Sequence, residues 1–98
     1  MAKRSEQQLQ EKIKKWNARQ NPITRRQAKQ QLVMMGIEQQ ALDTINGISN
    51  PTEKRLLEIW FDDASVWERD NEQLKQFGAQ MGLTEDEIDD FFVAAAEL

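Results

Sequence analysis

Helix breakers cut this chain into short pieces, and their placement limits the fold more than any other feature. Asn21-Pro22, Gly36, Asn46-Gly47, Asn50-Pro51 and Gly82 fall between stretches whose large apolar residues recur at helical spacing. A first segment, Lys3 to Arg19, ends at Asn21-Pro22, because the residue before a proline is steered out of the helical region. Thr24-Arg25-Arg26-Gln27 is a capping-box pattern and predicts a helix to Met35 with Ala28, Leu32 and Met35 inward, closed by Gly36 in the left-handed region. A short helix follows over Glu38–Asn46, carrying Leu42 and Ile45. Asn50 as N-cap and Pro51 at the first helical position open a helix predicted to reach Glu68 or Arg69. Its broad face of Leu56, Leu57, Trp60, Phe61, Ala64 and Trp67 is the expected centre of the core, with Ile59 and Val66 pointing away. Asp70 is the expected cap of the next helix, with Leu74, Phe77 and Met81 inward and Gly82 at its end. Thr84-Glu85-Asp86-Glu87 is a second capping box, ahead of Ile88, Phe91, Phe92 and Ala95. No strand-like alternation and no internal repeat stand out. The expectation is an all-α fold, a small bundle of four to five short helices with a basic N-terminal helix. Residues 1–22 form the helical arm and residues 23–98 the helical domain.

Composition narrows the function. The chain of 98 residues has no Cys and no His. It therefore lacks thiol chemistry, the usual general base near neutral pH and the commonest metal ligand. A His-based triad is excluded for Ser5, Ser49 and Ser65. Acids are plentiful, but adjacent ones such as Asp62 and Asp63 diverge by about 100° on a helix, and no stretch has a calcium-loop pattern. There is no phosphate-binding Gly-rich loop and no apolar run long enough to span a bilayer. The expectation is a protein with no catalytic activity, no cofactor, no metal and no membrane segment.

Charge is lopsided. Residues 1–35 hold nine Lys/Arg against Glu6 and Glu11, whereas residues 36–98 hold four Lys/Arg and fifteen Asp/Glu. This reads either as solvated helix faces or as a basic arm that meets an acidic partner. Within the arm, Leu9, Ile13 and Trp16 fall in a stripe about 60° wide, the spacing of a coiled-coil seam too short to stand alone. The candidate partner-binding residues are Leu9, Ile13 and Trp16, with Arg25 and Arg26 as polar contacts at the edge. Two alternatives stay open for Trp16: an exposed anchor, or a ring that completes the core when the helix folds back. Arg25, Arg26 and Lys29 open a pair that has a helix-turn-helix outline, but its second helix carries no Lys or Arg, which argues against nucleic acid in that mode.

Together, Ile23-Thr24-Arg25-Arg26-Gln27 to Gly36, Ile59-Trp60-Phe61-Asp62-Asp63-Ala64, Glu68-Arg69-Asp70, Met81-Gly82-Leu83-Thr84, Ile88, Phe92 and Ala94-Ala95-Ala96 form an ordered set. It resembles a group of small phage and prophage proteins encoded among tail genes near the tail fibre. Their pattern is a TRRQ…G helix, an IEWE-A helix, RD, and GLT…ID-LF-AA-L at the C-terminus. Here Trp60, Phe61 and Asp62 stand where the family has Glu, Trp and Glu, and the basic segment before Ile23 lies outside the pattern. The resemblance implies no enzymatic activity. It implies a virion component or assembly factor, located in the virion or the host cytoplasm. The partner would be a protein: a phage tail component or a second copy of the chain. Two further possibilities are an inhibitor or regulator of a host or defence protein, acting through Glu85, Asp86, Glu87, Asp89 and Asp90, and DNA binding through the basic arm.

Overall fold

A computed structural model describes residues 2–98, with side chains described from residue 7, so Met1 of the expected 1–22 arm lies outside it. The order of elements is α1 (Ala2–Gln20), β1 (Ile23–Thr24), α2 (Arg25–Met34), α3 (Glu38–Asn46), α4 (Pro51–Asp63), β2 (Val66–Trp67), α5 (Glu72–Gln80) and α6 (Glu85–Ala95). The fold is mainly helical, as expected, but it has six helices rather than four to five, and a two-stranded antiparallel pair.

Local chemistry sets most helix ends. Thr24 and Thr84 close full capping boxes with Gln27 and Glu87. The Asn50 side chain accepts from the backbone N–H groups of Thr52 and Glu53, with Pro51 at the first helical position. Gly36 and Gly82 take φ of 71° and 77°, and the residue after each donates back, Ile37 N–H to Leu32 O and Leu83 N–H to Gly78 O. An L side chain at that φ is strained, so these turns need glycine.

The expected long helix from Asn50 stops at Asp63. Asp62 and Asp63 load the negative end of the helix with acid, which works against continuation. Val66-Trp67, a β-branched residue and an aromatic, instead pairs with Ile23–Thr24, Ile23 opposite Trp67 and Thr24 opposite Val66. The Arg25 N–H donates to Ser65 O at 3.0 Å. The Arg25 guanidinium donates to Asp62 O at 2.8 Å, covering a free carbonyl at the end of α4. Asn71 rather than Asp70 caps α5, accepting from the Leu74 N–H.

The strand pair exposes a regularity missed at the level of sequence. Helix–strand–helix–helix occurs twice, as α1-β1-α2-α3 and α4-β2-α5-α6. Each final hairpin turns on the same triplet type, Met35-Gly36-Ile37 and Met81-Gly82-Leu83. The contacts are reciprocal: α1 packs on α6 as α4 packs on α3, and α2 packs on α6 as α5 packs on α3. β1 and β2 meet each other. The halves differ in the filling. α4 brings Leu57, Trp60 and Phe61 into a core with Trp67, Leu74, Phe77, Phe91 and Phe92. Ring centroids lie 4.4 Å apart for Trp60 and Trp67, and 5.9 Å apart for Phe61 and Phe77. α1 contributes only Ala18 to that core.

Three residues expected inside are not buried. Met35, Leu42 and Leu56 are exposed, while Ala28, Leu32, Ala41 and Ile45 fill the core from α2 and α3. Ile59 and Val66 face outward as expected.

Candidate protein-contact site on the first helix

The last turns of α1 dock on α6 through charge. Lys15 Nζ lies 3.6 Å from carboxylate oxygens of both Asp86 and Asp90. Arg19 donates to both oxygens of Asp89, with Nη2 to Oδ2 at 2.7 Å. At about 100° per residue, Glu11, Lys14, Lys15 and Ala18 form one side of the helix. Leu9, Ile13 and Trp16 fall about half a turn away, on the opposite side. They are 59%, 48% and 63% exposed. The helix thus folds back on the body without burying Trp16. The elongated outline, 52 × 23 × 23 Å, fits a 19-residue helix running past the body.

The structure brings Leu9, Ile13 and Trp16 into one line, while Arg25 and Arg26 sit at the start of α2 and bond within the domain. Arg25 caps α4, as described above. Arg26 donates to the Gln30 side chain and, at 3.4 Å, to Leu98 O.

A buried ion cluster went unnoticed in the sequence. Asp89 is 0% exposed and Arg69 4%. Arg69 Nε donates to Asp89 Oδ1 at 2.8 Å, and its Nη2 donates to the Glu85 backbone carbonyl at 3.2 Å and to the Glu85 carboxylate. Burial by itself pushes the Asp89 carboxyl up. Hydrogen bonds and charge from Arg19 and Arg69 outweigh it and hold the group below the usual carboxylate range. The hydrogen bond from Arg69, then its charge, hold Glu85 low as well. The signal available in the sequence was position: Asp89 lies three residues before Phe92 and one after Ile88, at the edge of the inward face of α6. This corrects the expected acidic patch. Asp89 is not available to a partner, and Glu85 is tied to Arg69. Asp86, Glu87 and Asp90 are left facing outward, and Asp86 and Asp90 also attract Lys15.

Asp89 accepts from two guanidiniums and is shut away from solvent, so its geometry suits a structural clamp and not proton transfer. Among the described residues, no group of three or more acids could hold a metal ion, and no helix is long and apolar enough to cross a membrane. The enclosed void under Trp67, lined by Leu32, Leu74, Phe77, Gly78, Leu83, Ile88 and Phe91, measures about 10 Å³. It is wholly apolar and has no groups for bond-making chemistry. No protein-family profile, curated protein or solved structure matches this chain.

Proposed function

We propose that the protein acts by protein–protein contact and not by catalysis, with α1 as its docking element. The observation that carries this reading is the outward line of Leu9, Ile13 and Trp16. Three large apolar side chains in a row on a basic helix cost solvation in the isolated chain and gain when a partner covers them. Tryptophan in particular often dominates interface energy once desolvated. The resemblance from Ile23 onward supports a more specific role, an accessory or assembly protein of a phage tail, present in the virion or in the host cytoplasm.

The test is capture of tail proteins by the full chain against a Leu9→Ser, Ile13→Ser, Trp16→Ser variant. Point changes are preferable to removal of residues 1–20, which would also delete Arg19 and expose Asp89 to an unbalanced Arg69. Capture by the natural chain and loss in the variant is the expected result. Equal recovery sinks the docking role of α1.

A further inference from the structure

Beside α6, on the flank next to the one α1 covers, a groove opens between α2 and α6. Met35, Leu83, Phe91 and Ala94 line it with apolar surface, and Glu87 and Asp90 stand in its wall. It measures about 350 Å³, room for a large aromatic side chain. Met35 above it is 46% exposed, unlike its counterpart Met81, which is buried against Thr44.

The other half of the molecule indicates what such a seat takes. There α4 rests on both α3 and α5. Its Trp60 and Phe61 lie over Phe77 at 5.7 and 5.9 Å between ring centroids. In the first half the helix in the equivalent place is α1, and the residues it turns toward the body are Lys14, Asn17 and Ala18. They do not supply a ring, so the α2–α6 seam stays open. The ring that α1 does carry, Trp16, points away from its own body.

Resting on the reading of α1 as the docking element, we propose that the chain binds a second copy of itself, with the Leu9–Ile13–Trp16 face of one α1 seated in the α2–α6 groove of the other. Charge favours this occupant. Residues 2–20 carry six Lys/Arg and two Glu, net +4, and residues 21–98 carry seven Lys/Arg and fifteen Asp/Glu, net −8. A basic helix with an aromatic knob meets an apolar groove with acidic walls. Lys15 already makes this kind of contact within one chain, between Asp86 and Asp90. Stripe against stripe would instead set two basic helices side by side.

The experiment is sedimentation velocity of the full chain over a wide concentration range, with Trp16→Ala, with Met35→Lys, and with the two variants mixed. Both positions are exposed, and circular dichroism of each variant verifies that the fold is kept. The natural chain is expected to associate with rising concentration and to dissociate as salt is raised. Each variant weakens association by about tenfold or more. The mixture recovers a complex, because one chain keeps a sound groove and the other a sound stripe. Trp60 and Trp67 are buried, so Trp16 dominates the change in indole fluorescence, which shifts to the blue on association. A chain that stays monomeric throughout overturns the proposal. So does association that Trp16→Ala abolishes and Met35→Lys leaves unchanged, or a mixture with no recovery. The functional reading is separable: a monomeric chain that still captures a tail protein through α1 keeps that reading and loses this one.

Discussion

The two ends of the α1–β1 and α4–β2 segments occupy matching places, yet they are held by different forces. α4 is fixed by aromatic packing, with Leu57, Trp60 and Phe61 inside a cluster that includes Trp67 and Phe77. α1 is fixed by ionic contacts from Lys15 and Arg19, with Ala18 as its one core residue among those described. The apolar term is spread over a large area and has no directional demand. The ionic term is concentrated in one buried carboxylate and depends on its charge state. One architectural position can therefore be a permanent part of the core or a helix held in place while its apolar side is kept free.

The sharpest break in the comparison should come from Trp67, fully buried among Trp60, Phe61, Phe77 and Phe91. Trp67→Ala removes the ring shared by both halves and the strand pair. It is expected to cost about 3–5 kcal/mol in urea unfolding. Its indole N–H is buried without a partner. Trp67→Phe gives that orphaned group up, and is expected to be clearly milder than Trp67→Ala.

Next in size is Asp89→Asn. It leaves Arg69 buried with half its acceptors and loosens Arg19, and about 3 kcal/mol is expected. The same residue gives the pH dependence. A carboxyl held low when folded stabilises the protein above its unfolded value, about 3.9, and loses that contribution as pH falls through the depressed native value. The gap in stability between the natural chain and Asp89→Asn is expected to be full at pH 6 and to close below about pH 4. A gap that does not change with pH would show that Asp89 acts by packing and not by charge.

A smaller effect tests how tightly the second half is filled. A Cβ placed on Gly78 would lie 2.6 Å from Ile88 Cδ1 and 3.3 Å from Cγ1. The intruded atoms belong to a mobile side-chain end, so Gly78→Ala is expected to cost only about 1–2 kcal/mol, read by thermal melting.

What could be seen in the sequence was local. Thr24 with Gln27, Thr84 with Glu87, Asn50 with Pro51, and the glycines at 36 and 82 act within a few residues, and the inward faces of α5 and α6 follow from spacing alone. What could not be seen was long-range. Helix α4 stops at Asp63 because Val66-Trp67 has a strand partner far earlier in the chain, at Ile23–Thr24. Asp89 looks like any acid near a helix N-terminus until Arg69 and Arg19 arrive from 20 and 70 residues away. The duplication was hidden because the two halves share turns and contacts but not core residues. Leu9, Ile13 and Trp16 could be placed in one line from periodicity. Which side of α1 faces α6 depended on Lys15, Ala18 and Arg19 finding Asp86, Asp89 and Asp90.

The smallest expected effect completes the comparison between the two tryptophans. Trp16→Ala removes as large a ring as Trp67→Ala does, but from a side chain that already faces solvent. It leaves no cavity and strands no polar group, so its cost to the monomer is expected to stay within about 0.5 kcal/mol. Helix propensity even favours alanine slightly at that position. Urea unfolding at low protein concentration reads this directly. A loss comparable to that of Trp67→Ala would mean that α1 holds Trp16 against the body, and the difference in how α1 and α4 are held would disappear.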